Sequence, residues 1–152
     1  MIFVLPVTIP ANTARAAAVT ADLLLAPGVI TKVDVEFPSG CVGLVSTFAS
    51  RGASQIFPTN AGQEFAADDE TITWPDEYEV ADAPFSLRMT AWNTDDSFAH
   101  TVTWRLTLRR FPGPREQQLV AAARAQGFEV LEIPTAADLI EARSGDLQVA
   151  IP

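Results

Sequence analysis

The sequence of 152 residues is poor in the side chains on which most catalytic and metal sites depend: it has one cysteine, Cys41, and one histidine, His100. A lone cysteine cannot form a disulfide within the chain or build a cysteine-type zinc site. Every histidine-dependent triad would have to use His100, as would a dyad with Cys41, and the sequence has neither a Gly-x-Ser-x-Gly motif nor a glycine-rich phosphate loop. We therefore predict a protein that is not an enzyme and that holds no metal and no cofactor.

Positive charge is also scarce, because 10 Lys and Arg residues stand against 19 Asp and Glu residues, a formal net charge of −9. This excess argues against a nucleic-acid backbone or an anionic membrane as the main partner. Residues 60–100 carry most of the acidic side chains, whereas residues 104–124 are rich in arginine. Such a distribution is typical of solvated faces, and it would also let copies of the protein meet through patches of opposite charge.

Long hydrophobic runs are missing as well. The longest apolar passage, residues 14–30, is interrupted by Arg15, Asp22 and Pro27, and it therefore cannot span a bilayer. The first residues, "MIFVLP", have no basic region, and their proline comes too early for a signal peptide. We expect a soluble protein that is made in the cytoplasm.

What the sequence does contain is alternation of apolar and polar residues, which runs through residues 1–111. In "GVITKVDVEF" and "TVTWRLTLRR" the apolar side chains fall on one parity and the polar ones on the other. About seven such segments are separated by Gly, Pro, Asn and Asp residues, which are typical of turns. This pattern predicts a mainly β fold, an antiparallel β-sandwich of jelly-roll-like type. The prolines of "FVLPVTIPA" favour an edge strand for the first segment.

Two segments of this region are less regular. Residues 13–25, "TARAAAVTADLLL", are compatible with a helix because of their alanines, and with a strand because "VTADLLL" is largely apolar. The segment "ETITWPDEYEV" alternates as far as Trp74, and we predict that the strand breaks at Pro75. Trp74 and Trp104 share the parity of the apolar residues in their strands, so we predict that both are buried.

The composition changes after residue 111, which divides the chain into a β-sandwich domain, residues 1–111, and a small α/β appendage, residues 112–152. "PREQQLVAAARAQG" begins with a proline and stops at Gly127, a pattern that predicts a helix. A short strand, a second helix over "TAADLIEARSG" and a final strand are predicted to follow. The appendage can pack on its own β domain or on a neighbouring subunit, and the sequence leaves both arrangements open.

Two acidic clusters are the candidate sites. Asp95 and Asp96 lie in "NTDDS" shortly before His100, and Asp68 and Asp69 precede the segment "TITW". The residues around Asp95 are turn formers and predict a polar connection between two strands. Loops at one end of a sandwich would also bring the clusters together, and their carboxylate oxygens are suited to Ca²⁺. The clusters lack the glycine and the spacing of a dedicated calcium loop, and a solvated acidic rim is the competing interpretation.

Three further residues are candidates for interface or ligand contact. Trp92 has the opposite parity to the apolar residues of its strand, which predicts a place on the outer face of the sheet. Arg105 and Arg109 have the outward parity of the last strand, so they would form a basic face there.

The first three quarters of the chain resemble a known class of proteins. This part of the chain is similar to small β-sandwich structural proteins of tailed-phage virions in its size, its sparse charge and the apolar and polar pattern of its strands. The stretches that carry the resemblance are "VLPVTIPANT", "GVITKVDVEFPSGCVGLV", "QIFPTNAGQEF" and "HTVTWRLTLRR". Auxiliary capsid proteins, which decorate or cement the shell, are the nearest type. The resemblance implies symmetric multimers, commonly trimers, which bind a shell lattice without catalysis.

The functional prediction is therefore a non-enzymatic structural protein that self-associates and binds a larger assembly, such as a capsid lattice. Its location would be the virion, after synthesis in the host cytoplasm. The alternative is a ligand-binding β-sandwich that takes a carbohydrate or depends on calcium, and that uses Trp92 and the loops near Asp68 and Asp95.

Overall fold

The computed structural model of the protein describes residues 1–127. The chain divides into two units between Phe111 and Pro112, and each unit is described by itself. The first unit contains one turn of 3-10 helix, Arg15–Ala17, and eight strands. The strands are β1 (Ile2–Ile9), β2 (Val19–Leu24), β3 (Gly28–Phe37), β4 (Val45–Arg51), β5 (Ser54–Phe57), β6 (Glu70–Val80), β7 (Ser86–Asn93) and β8 (His100–Arg110). The predicted mainly β fold is confirmed.

The strands form two four-stranded sheets with the orders β1-β8-β3-β6 and β2-β7-β4-β5, and all pairs are antiparallel. The pairs β1/β8, β2/β7, β3/β6 and β4/β5 are those of a single long hairpin ribbon. Rolling up this ribbon adds the pairs β3/β8 and β4/β7 and gives two facing sheets. This is the arrangement of an eight-stranded jelly roll, which confirms the predicted class.

The two irregular segments are both strands in the structure. Residues 13–25 hold the 3-10 turn and then β2, whose Ala21 and Leu23 pair with Met89 and Leu87 of β7. The predicted break at Pro75 is wrong, because β6 runs through it without interruption. The strand tolerates this proline because β6 is an edge strand and its register with β3 shifts at this point.

Alternate side chains of both sheets fill one interior. The largest fully buried residues come from six of the eight strands: Trp104, Phe37, Ile9, Ile30, Leu87, Met89, Leu106, Leu108, Val33, Val35, Val45 and Val80. Trp104 lies at the centre of β8, and its indole N–H donates a hydrogen bond to Thr47 Oγ1 at 3.3 Å across the interior. Trp74 is half-buried and packs against Phe65, with ring centroids 5.0 Å apart. The predicted burial is therefore complete for Trp104 and partial for Trp74.

The edge strands differ in charge. β1 is an edge of its sheet, as its prolines predict, and it contains no charged side chain. β6, the other edge of the same sheet, carries Glu70, Asp76, Glu77 and Glu79 and no basic residue. The two edges of this sheet therefore present very different surfaces to a neighbouring molecule.

In the second unit, helix α1 spans Pro114–Ala125 and is followed by Gly127 with φ +80°. The helix begins at the proline and stops before the glycine, as the sequence predicts. The strand, helix and final strand predicted after it lie outside the described residues. No helix within residues 1–127 is long and apolar enough to cross a membrane.

Gly28, the first residue of β3, lies in close contact with the end of β8. A Cβ at this position would lie 2.5 Å from Leu108 Cδ2 and would also collide with the backbone carbonyl of Arg109. We expect Gly28→Ala to lower the free energy of unfolding by ~1–3 kcal/mol, because neither neighbour can move without disturbing β8. Urea denaturation measures the change.

Gly113→Ala is the matched control for this substitution, since a Cβ at Gly113 would meet no atom within 4 Å. An equal loss of stability in the two variants would show that the effect at Gly28 is not one of packing against β8.

Candidate functional site

Four loops meet at one end of the sandwich, which we call the loop end: residues 10–14, 38–44, 66–69 and 94–99. Backbone hydrogen bonds connect them, from Asn12 N–H to the Asp95 carbonyl at 2.7 Å and from Thr94 N–H to the Leu44 carbonyl at 2.9 Å. Asp69 N–H reaches the Pro38 carbonyl at 3.4 Å. Both acidic clusters therefore lie at the same end of the fold.

Asp68 binds the neighbouring loop through its side chain. Its Oδ1 accepts the backbone N–H groups of Gly40 at 2.8 Å and of Val42 at 3.0 Å. These bonds hold a tight turn in which Val42 has φ +45°, a left-handed conformation that is unfavourable for a β-branched residue. Asp69 is exposed and supplies only its backbone to this contact. The two adjacent carboxylates thus have different roles.

Asp95 is buried and makes three hydrogen bonds. Its Oδ1 accepts the N–H groups of Ser97 at 2.8 Å and Phe98 at 3.1 Å, and its Oδ2 accepts Nε2–H of His100 at 2.8 Å. The hydrogen bond from His100, followed by the one from Ser97, holds the pKa of the Asp95 carboxyl below its ordinary value of 3.8. The predicted turn is present, and its acid and histidine are the groups that fix it.

Asn93 is a further member of this cluster that sequence reasoning missed. The residue is fully buried, its Nδ2 donates to the Phe98 carbonyl at 2.8 Å, and its Oδ1 accepts Asp95 N–H at 2.9 Å. The only signal in the sequence is the spacing of Asn93, Asp95 and Ser97, which is typical of successive Asx turns. Asp96, by contrast, is exposed and binds the hydroxyl of Ser97.

The loop end holds Cys41 as well as the two acidic clusters. Within residues 1–127, no group of three or more His, Cys, Asp or Glu side chains is placed to hold a metal ion. Cys41 is buried, and its burial, together with the charges of Asp68 and Asp95, raises the pKa of its thiol. A thiol that stays protonated is a poor nucleophile. The carboxylates of Asp68 and Asp95 bind backbone N–H groups, and this role is structural.

The same loops display apolar side chains. Val42 and Phe98 are each 69% exposed, and Leu44 is 41% exposed. Val42 belongs to the turn that Asp68 holds, and Phe98 belongs to the turn that Asp95 holds. The loop end therefore combines an internally bonded polar layer with protruding apolar groups.

Trp92 lies on the outer face of the β2-β7-β4-β5 sheet, as its parity predicts, but only 5% of it is exposed. The guanidinium of Arg15 stacks over the indole at 4.7 Å from the ring centroid, and Phe48 packs edge-on at 6.3 Å. Since Arg15 and Phe48 cover the ring, little of Trp92 is available for stacking on a ligand.

Arg105 and Arg109 lie on the outer face of the other sheet, away from the loop end. Arg105 pairs with Glu36 of β3, and Arg109 pairs with Glu77 of β6 at 3.1 Å. Because each arginine has an acidic partner on the same face, the predicted basic face is largely neutralised. The structure does not bring these arginines together with Trp92 or with either acidic cluster.

Two cavities of the sandwich are small. One of about 200 Å³ is lined by Asn12, Ala14, Asn93 and Thr94, and another of about 170 Å³ is lined by Asp22, Gly52, Pro84, Ser86 and Arg88. Both are below the ~300–1,000 Å³ that is typical of small-molecule sites.

The neighbours Asp95 and Asp96 provide a matched test of the turn. We expect Asp95→Ala to lower Tm by several degrees, because it leaves two backbone N–H groups and the buried His100 without their acceptor. We expect Asp96→Ala to change Tm by less than about 2 °C, as is usual for an exposed side chain. Thermal unfolding by circular dichroism measures both, and equal shifts would contradict the assigned role of Asp95.

The lowered pKa of Asp95 also predicts a dependence of stability on acid. The unfolded chain takes up this proton at a higher pH than the folded chain, so the contribution of Asp95 is complete above its ordinary pKa of 3.8. It is lost as the pH falls from that value through the lower pKa of the folded state. In Asp95→Asn this contribution is absent, so stability should fall less steeply over the same pH range, while Asp22 and Asp34, whose pKa values are also lowered, keep their own acid dependence. Urea denaturation at a series of acidic pH values measures it, and parallel curves for the two proteins would refute the linkage.

No model of a known protein family matches the chain, and no curated protein sequence matches it. The function therefore has to be argued from the geometry of the described residues.

Proposed function

We propose that this protein is a non-enzymatic structural protein that self-associates and binds a larger assembly, of the kind that decorates or cements a virion shell. The observation that carries this proposal is the loop end, where Val42, Leu44 and Phe98 expose apolar side chains on two turns that carboxylates hold in place. Apolar side chains that project together from one end of a fold are typical of a contact with another protein.

The way in which these side chains are held strengthens this argument. A flexible loop loses conformational entropy when it binds, and a loop that is already ordered avoids most of that loss. The turn of Val42 is ordered by Asp68, and the turn of Phe98 is ordered by Asp95, Asn93 and His100. The polar side chains of the loop end thus fix the conformation of the turns that expose Val42 and Phe98. This order favours a permanent contact with another protein.

The fold is compatible with this proposal without deciding it. Jelly rolls occur in viral capsid proteins, and they also occur in lectins and cupins. An accessible aromatic ring or a bound cation would support sugar binding, but Trp92 is covered, the Asp68 carboxylate binds the neighbouring loop, and the Asp95 carboxylate binds its own loop and His100. The ligand-binding alternative therefore has less support than the structural one.

The proposal predicts that a charge at the tip of the loop end weakens binding to a shell. The assay first establishes whether neighbouring genes encode shell proteins, then co-expresses the protein with them and follows its co-sedimentation with the resulting particles. We expect the wild type to co-sediment in a fixed ratio, and we expect Phe98→Asp to bind at least about tenfold more weakly, because a charge would replace an apolar contact.

Ala53→Asp is the matched control, since it adds the same charge to an exposed turn at the opposite end of the sandwich. Thermal unfolding of both variants shows that they are folded. If the wild type stays in the supernatant, or if Ala53→Asp and Phe98→Asp are equally impaired, the proposed role of the loop end is wrong.

A further inference from the structure

The four edge strands of the sandwich are protected against pairing with other chains to different degrees. β6 carries four acidic side chains, β5 has only four residues, and β2 carries Asp22, which is ion-paired with Arg88 at 2.8 Å. Charge, short length and proline are the usual devices that keep sheet edges from associating. β1 is 8 residues long and uncharged, and Pro6 is the one such device that it carries.

The backbone of β1 is arranged for pairing on its free side. Met1 and Leu108 exchange both of their N–H···O bonds, which sets the alternation of the β1/β8 ladder. Phe3, Leu5 and Val7 therefore bond to β8, whereas the N–H groups of the residues between them point away from the sheet. Within residues 1–127, no strand pairs with that side of β1.

Pro6 occupies one of the outward positions, where a missing N–H removes no hydrogen bond of the sandwich. The remaining outward N–H groups are those of Ile2, Val4 and Thr8. The free edge thus keeps most of its hydrogen-bonding capacity.

The side chains along this edge are apolar and exposed. Ile2 is 69% and Val4 is 52% exposed on the outer face of β1, and Leu24 of the adjoining β2 is 74% exposed. The opposite edge, formed by β6, exposes carboxylates instead. Exposed apolar side chains next to an unpaired strand are the features that β-strand addition uses.

We propose that β1 pairs with β1 of a second copy of this chain, antiparallel about a two-fold axis at Val4, so that two four-stranded sheets become one continuous sheet. In this register Val4 faces Val4 and the two residues exchange both N–H···O bonds. The Ile2 N–H of each copy donates to the Pro6 carbonyl of the other. Because proline has no backbone N–H, this carbonyl is the only backbone hydrogen-bonding group that Pro6 can contribute. This pairing rests on the proposed function, because it is the contact through which the proposed self-association would take place.

Charge favours a second copy as the occupant. Two molecules of net charge −9 repel each other, and they approach most easily through a surface that contributes no charge to the contact. The side chains of β1 carry no charge, the terminal ammonium of Met1 beside them adds no negative charge and is bonded to the Leu108 carbonyl, and the carboxylate of the adjoining strand, Asp22, is ion-paired with Arg88. A two-fold contact also requires a surface that complements itself, as the register about Val4 does.

The experiment uses the full chain and measures its mass by size-exclusion chromatography with light scattering, from low to high micromolar concentration. We expect a mass twice the 16.3 kDa of the chain. Val4→Pro removes the central outward N–H without removing a bond to β8, and we expect it to weaken the dimer at least about tenfold. Val4→Ile keeps the N–H and is expected to leave the dimer intact.

A second pair of variants tests the side chains. Ile2→Lys places charge on the exposed face of β1 and should also give monomers, whereas Thr71→Lys places the same charge on the exposed face of β6 and should not. Circular dichroism shows that each variant is folded. Amide hydrogen exchange gives an independent readout, because the Val4 amide should gain protection as the protein concentration rises.

The outcomes separate the two proposals. A dimer or trimer that is insensitive to both Val4→Pro and Ile2→Lys would overturn the pairing of β1 and would leave self-association in place. A wild-type protein that stays monomeric at every concentration would overturn both the pairing and the self-association in the proposed function. Binding to a shell through the loop end is measured separately by co-sedimentation.

Discussion

The hydrogen-bonded position of β8 between β1 and β3 is the constraint on which the rest of this structure depends. The inward side chains of β8, with Trp104 at the centre, lie in the middle of the core, and its outward arginines pair with acids on β3 and β6. Its first residue, His100, binds Asp95 and so ties the loop end to the sheet. One strand therefore connects the interior, one outer face and the loop end.

This coupling explains why the acidic clusters, which the sequence suggested as a cation site, hold the loops in place instead. A buried carboxylate needs hydrogen bonds or a cationic partner, and Asp95 obtains two bonds from residues of its own loop and one from His100, the first residue of β8. The exposed Asp68 accepts two backbone N–H groups from residues 26 and 28 positions away. Side chains that satisfy backbone groups in this way hold a loop in one conformation.

Alternation was sufficient to predict the fold because each strand has one buried face, and the parity of a strand such as β8 shows which residues face inward. It could not decide between helix and strand for residues 13–25, where the pairing of β2 with β7 determines the outcome. The covering of Trp92 by Arg15 and the pairing of Arg105 with Glu36 join residues far apart in the chain. Local pattern carries no information on such contacts, and for that reason the sequence placed these residues on outer faces without revealing their partners.

The acidic edge strand β6 has a consequence for how large an association through sheet edges can grow. An open strand of 11 residues is long enough to template cross-β growth, but β6 carries Glu70, Asp76 and Glu79 beside Glu77, which is ion-paired with Arg109, and these carboxylates make two such edges repel. Joining two copies through β1 leaves an acidic edge at both ends of the combined sheet. The sheet can therefore be extended once, into a closed pair, while open-ended polymerisation into a fibre is opposed by its own charge.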